Sequence, residues 1–196
     1  MQQSKKVRYI IVLFLLGVSV VALVGWNICV GTVRIPLADI FASIRGEKIE
    51  NSRILWDIRM PRTLAAMILG GALALAGYLL QTFFHNPIAG PFVLGISSGA
   101  KMVVALVMVF LMGQAVKITS WALIAAAFVG AMISMGFVLL MSRRVHNMSM
   151  LVVSGVMIGY ICSAITELVV TFASDAEIVN LHNWSQGSFS GMTWAL

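Results

Sequence analysis

Two charged side chains stand inside long apolar stretches of this 196-residue chain, Lys101 and Glu167. A charge at membrane depth costs at least a few kcal/mol unless it is paired or wetted, so such residues mark substrate paths, proton relays or wet cavities. Lys101 has a second reading, in which its apolar stem lets the ammonium group reach the nearer surface. Glu167 has one too, as a solvated side chain close to the interface. A direct pair between them is disfavoured, because they are expected near opposite faces of the membrane.

The segment 85–100, HNPIAGPFVLGISSGA, gathers two prolines, three glycines and two serines between apolar runs. Pro87 and Pro91 oppose regular helix. Irregular backbone at membrane depth survives only when buried in protein or lining a wet cavity, and broken helices of this kind line transport paths. Ser97 and Ser98 are therefore pathway candidates, while a tight turn with a helix cap is the plainer alternative. Arg59, Pro61 and Arg62 precede the second apolar run. Proline suits a first helical turn. The two arginines read either as interfacial anchors or as contacts to an anionic ligand or acidic partner.

Enzymatic chemistry finds no support. The run from Gly95 to Lys101 has Ala100 where a phosphate-binding loop has glycine before the lysine, and Met102 where it has a hydroxyl residue after it. No HExxH occurs. His85, His146 and His182 are scattered, and Cys29 and Cys162 sit in apolar stretches as small buried residues. No cofactor or metal is expected in this chain.

The elements that must position these residues follow from composition. The chain is 60% hydrophobic and only 10% charged, against about 45–50% and 25% in ordinary soluble domains. The excess apolar surface must face lipid or lipid-buried helices. The expected fold is all-α, a polytopic bundle of about five spanning helices within one transmembrane domain covering 1–196. The apolar stretches are 7–30, 63–84, 92–112, 118–141 and 149–173. The first is too long for a signal-peptide core and reads as a retained helix. A short amphipathic helix is expected around 37–44, and 174–196 reads as an external segment lying at the interface, with Trp184 and Trp194 at headgroup level. The net charge of +6 is spread over connections, which argues against nucleic-acid binding. Charge alone leaves the orientation open.

Small residues recur at four-residue spacing: Ala66, Gly70, Ala74; Ala126, Gly130, Ser134; Gly155, Gly159, Ser163. In lipid such stripes let helix backbones approach closely, so packing is the first role expected for Ala66, Gly70, Ala74 and Gly130.

Taken in order, several runs resemble the FecCD-type permeases, the membrane subunits of binding-protein-dependent ABC importers for iron–siderophore, haem and vitamin B12. They are RMPRTL at 59–64, GGALALAG at 70–77 with Gln81, NPIAGP at 86–91, LGISSGA at 94–100, VSGV at 153–156 and WSQGSFSG at 184–191. The likeness runs from about residue 30 to the end and corresponds to the first half of a ten-helix family member. It implies a multi-pass protein of the bacterial cytoplasmic membrane with a cytoplasmic N-terminus. It also implies a second permease subunit, identical or paralogous, ATP-binding subunits that hydrolyse ATP, and an external substrate-binding protein. Gly155, Gly159, Ser163 and Glu167 then line the pathway, and Arg59, Arg62 and Trp184 stand near the outer mouth. Two positions depart from the family pattern. Gly90 stands where an acidic residue is usual, and Lys101 where a small or apolar one is. The leading expectation is a permease for an iron chelate, with a ferric siderophore ahead of haem and cobalamin. A truncated membrane scaffold or non-transporting fragment is the alternative from another class. An ion-coupled carrier would want more intramembrane carboxylates than Glu167.

Overall fold

A computed structural model describes residues 2–47, 51–112, 119–145 and 147–194. His146 and Ile118, the first residue of the fourth apolar stretch, lie outside the described residues. Among the described residues the regular structure is helical: α1 Gln2–Cys29, α2 Leu37–Ile44, a π-helical stretch Ile54–Arg59, α3 Met60–Phe84, α4 Ile96–Met112, α5 Ser120–Ser142, α6 Met148–Val170 and α7 Asp175–Gln186. Four helical runs are long and apolar enough to cross a membrane: Lys5–Cys29, Ile54–Phe84, Ser120–Ser142 and Met148–Val170. They contain unbroken apolar runs, and a helix satisfies every backbone group of such a run within the segment itself.

The third stretch differs from expectation. Its helix begins at Ile96 and has 17 residues, not the full 92–112. At 1.5 Å per residue it is about 26 Å long, short of the roughly 30 Å hydrocarbon core. Residues 92–95 form a turn instead, because Gly95 takes a left-handed φ of +71° that a helix cannot continue through.

The chain divides into two compact units, with the boundary inside α3. One comprises 1–70 and 189–196, the other 71–188. In the first, α1 offers apolar side chains on all sides, with Leu13, Phe14, Leu23 and Trp26 each more than half exposed. Such a surface suits lipid. The core of this unit lies at the C-terminal end of α1, where Ile35 and Leu55 are almost fully buried.

In the second unit α4 packs on both α5 and α6. The stripe Ala126, Gly130, Ser134 is the seam on α5, and all three residues are buried. A Cβ added to Gly99 of α4 would lie 2.6 Å from the Gly130 carbonyl oxygen, so the two backbones touch. Apolar clusters close the two ends of this layer. Phe84, Ala89, Leu94, Val138, Leu151 and Val152 form one. Val104, Ala105, Met108, Ala126, Val169 and Leu181 form the other. The matching stripe on α3 behaves differently. Ala66, Gly70 and Ala74 are exposed, and a Cβ on Gly70 meets nothing within 4 Å. The same spacing gives a seam on α5 and an open face on α3. α7 begins with a capping box in which Glu177 accepts from the Ser174 amide at 2.8 Å.

Candidate functional site

The irregular segment after α3 is anchored at its buried residues Ala89, Leu94 and Gly95, while His85, Pro87, Ile88 and Phe92 are exposed. His85 leaves the helix at φ 49°. The Asn86 side chain accepts from the Ile88 amide at 2.9 Å and forms a local turn that replaces helical hydrogen bonds. Backbone bonds Ala89 to Asn86, Leu94 to Gly90 and Gly95 to Phe92 satisfy the next groups. Ala89 and Leu94 are 0% exposed and pack against Leu151 and Val152 of α6. Part of this non-helical backbone is thus packed against the first turns of α6, and its polar groups are met by local hydrogen bonds.

From there the chain meets the middle of α6. A Cβ on Gly95 would stand 2.7 Å from both the Gly155 carbonyl oxygen and the Gly159 amide nitrogen. A Cβ on Gly155 would touch the Leu94 Cα at 3.0 Å. Gly95 thus meets two demands that only glycine satisfies, a left-handed φ and a bare backbone contact. This contact brings the first turn of α4 beside the α6 face that carries Gly159 and Ser163.

The result is a groove of about 280 Å³. Gly95 and Gly159 contribute its backbone, Ser98 and Ser163 its hydroxyls, and Phe92 and Tyr160 its aromatic walls. Both aromatics are largely exposed, at 70% and 74%. The lining has no titratable carboxylate, imidazole or amine. It offers hydroxyl donors and acceptors beside aromatic faces, so it suits the neutral polar surface of a solute. Among the described residues no cluster of three His, Cys, Asp or Glu is placed to hold a metal ion.

Of the pathway candidates read from sequence, Ser98, Gly159 and Ser163 share this groove. Gly155 lies behind it, against Leu94. Ser97 and Glu167 are exposed and outside its lining, and Lys101 is half-buried on α4, also outside it. Phe92 and Tyr160 escaped the sequence reading. Tyr160 lies four residues after Val156 and three before Ser163, a helical spacing that puts the three on one face. Phe92 carries no such signal, because it follows Pro91 in a turn.

A second concavity, of about 550 Å³, belongs to the first unit and is lined in part by Asn27, Thr32, Arg59, Arg62 and Phe189. Its arginines are turned to backbone. The Arg59 guanidinium donates to the carbonyls of Ile28 and Val33. Ile28 is in the last turn of α1, where carbonyls lack helical partners and a cation is favoured by the dipole. A Cβ on Gly31 would lie 2.7 Å from Arg59 Nη2, so a small residue is needed there. Arg62 Nη2 donates to the Ser190 carbonyl at 2.5 Å. The π-helical stretch that carries Arg59 is held on both sides. Trp56 Nε1 donates to Ser43 Oγ at 2.8 Å, and Trp194 Nε1 donates to the Trp56 carbonyl at 2.6 Å. Thr63 Oγ1 donates to Asn27 Oδ1 at 2.8 Å. π-Helical turns of this kind occur frequently at functional sites. Trp184, the third outer-mouth candidate, packs against the apolar cluster around Leu181 in the other unit.

Comparison with known proteins follows the same lines. A family described as the FecCD transport family matches residues 11–196. The vitamin B12 import system permease protein BtuC of Shigella boydii serotype 18 is 36% identical over 193 residues, covering 98% of this chain and 56% of the relative. The proteins of the same name from Salmonella newport and Salmonella paratyphi A are each 37% identical over the same coverage. The chain spans about half the length of these curated relatives. A solved structure described as an inward-facing conformation of a metal-chelate type ABC transporter superposes with a TM-score of 0.75 at 22% identity, covering 94% of this chain and 55% of that one. That likeness is one of fold.

Proposed function

The chain belongs to the FecCD transport family, and from that premise we propose that it forms part of the translocation pathway of an ABC importer for a metal chelate. The observation that carries the reading is the groove at the middle of α6, lined by Ser98, Ser163, Phe92 and Tyr160 and free of carboxylate, imidazole and amine groups. A bulky polar chelate needs a neutral path of hydroxyls and aromatic faces that holds it weakly at any one point. A driving ion would need a carboxylate, which the groove lacks.

In this reading the energy comes from ATP hydrolysed by separate subunits, and the chain itself is not an enzyme. A second permease subunit, identical or paralogous, completes the pathway. A binding protein delivers the chelate at the outer face, near Arg59 and Arg62. The chain lies in the bacterial cytoplasmic membrane with its N-terminus inside, and 174–194 lies at the outer interface. Relatives named for vitamin B12 import support cobalamin as a proposed substrate, beside ferric siderophores and haem.

The test is uptake of labelled cobalamin, ferric siderophores and haem by cells with and without the gene for this chain. Loss of one compound, restored only when the partner ATPase gene is intact, supports the reading. Unchanged uptake of all three overturns it in favour of a membrane scaffold.

A further inference from the structure

The first helix carries a feature that the transport reading does not use. An apolar trough follows one side of α1 and ends at a cation. Its upper part, about 810 Å³, is lined by Ala22, Gly25, Trp26, Cys29 and, beyond the helix, Arg34 and Leu37. A lower part of about 520 Å³ shares Ala22 and continues past Val21, Val18 and Gly17 to Phe14. The trough exists because glycines interrupt a row of large side chains. A Cβ at Gly17 or Gly25 would meet nothing within 4 Å, so no part of the described chain fills it. From Gly17 to Cys29 it runs about 18 Å along the helix. That is close to the roughly 15 Å of one hydrocarbon leaflet plus the start of the headgroup region.

Charge is confined to one end. Arg34 is the single charged residue in either lining, no acid accompanies it, and its side chain is exposed. Trp26, 69% exposed, stands near the same end. Its amphipathic ring suits headgroup level and offers an indole N–H. An apolar slot one leaflet long, closed by a guanidinium with an indole beside it, has the complementary shape and charge of an anionic amphiphile. Guanidinium matches a phosphate oxygen pair in geometry as well as sign.

We propose that this trough is a binding site for an anionic phospholipid, with an acyl chain along Gly17, Val21, Gly25 and Cys29 and the phosphate at Arg34. The inference requires only that α1 spans a membrane, so it stands or falls apart from the transported substrate.

The test is native mass spectrometry of the full transporter that carries this chain, purified in detergent and exposed to equimolar phosphatidylglycerol and phosphatidylcholine. Phosphatidylglycerol should be retained in preference. Arg34→Gln should reduce that preference about fivefold, the worth of one basic contact to an anionic lipid. Gly25→Leu, which fills open space and leaves the helix intact, should remove bound lipid of both kinds. Arg45→Gln, on an exposed arginine outside the trough, should change nothing. Equal retention of the two lipids, or a preference that survives both Arg34→Gln and Gly25→Leu, overturns the proposal. So does oxidative crosslinking of native Cys29 to another polypeptide, which would mean that a helix and not a lipid occupies the trough.

Discussion

Replacing Gly95 by alanine should loosen the contact between the start of α4 and α6. Two independent penalties apply at that position. The left-handed φ of +71° costs an L-residue about 1–2 kcal/mol. The new Cβ would also sit 2.7 Å from two backbone atoms of α6, the Gly155 oxygen and the Gly159 nitrogen. Backbone atoms inside a helix cannot rotate away as a side chain does, so the helices must separate, an overpacking cost of about 1–3 kcal/mol. The sum is about 2–5 kcal/mol. Gly70→Ala is the internal control, because its Cβ meets nothing within 4 Å. In a helix interior that change should be neutral or stabilise by up to about 1 kcal/mol. Reversible denaturation in mixed micelles, followed by circular dichroism, measures both. A Gly95→Ala variant as stable as Gly70→Ala would refute the claim that α4 and α6 meet backbone to backbone at this point.

Further outcomes are expected in the first unit. Arg59→Ala removes two charge-assisted bonds to the carbonyls of Ile28 and Val33, a loss of about 2–4 kcal/mol after relaxation. Maleimide labelling of Cys29, now half-buried, should then speed up. Arg59→Lys should restore only part of the protection, since lysine lacks the planar fork. Gly31→Ala should destabilise the chain when Arg59 is present and do little in the Arg59→Ala background, a coupling that a double-mutant cycle in the same denaturation assay reads directly. Trp194→Phe, which deletes the donor to the Trp56 carbonyl, should cost about 1 kcal/mol without altering helix content. Ser98→Leu should narrow the groove and lower uptake while membrane levels stay unchanged on an immunoblot.

The helices were legible because lipid imposes a length and an unbroken apolar run, and both can be counted. The α5 seam was legible for a similar reason, since Ala126, Gly130 and Ser134 repeat at one-turn spacing. Spacing does not name a partner, however. Ala66, Gly70 and Ala74 follow the same rule and lie on an exposed face. The short α4 depended on a single dihedral at Gly95, and hydrophobicity carries no trace of that. The arginines show the limit most clearly. Their residue type suits interfacial anchoring or contact with an anion, but the carbonyls that take up Arg59 lie 31 and 26 positions away in the sequence. No local pattern records such a contact. In the groove, the serines drew attention as polar residues in an apolar setting. Tyr160 and Phe92 did not, because an aromatic in a membrane segment is unremarkable until its neighbours are known.

The central claim, that the groove beside α6 is part of a translocation pathway, is tested most directly by blocking it. Ser163→Cys would be introduced into the transporter that carries this chain and reconstituted with its ATPase and binding protein. Uptake of labelled cobalamin or ferric siderophore into proteoliposomes would then be followed before and after modification with a bulky methanethiosulfonate, which forms a reducible mixed disulfide. Native Cys162 is buried and Cys29 lies outside the groove, so the unsubstituted transporter serves as the reference. The account predicts ATP-dependent uptake that falls to background only in the modified Ser163→Cys protein and returns when the label is reduced off. Full uptake by a completely modified Ser163→Cys protein would contradict it.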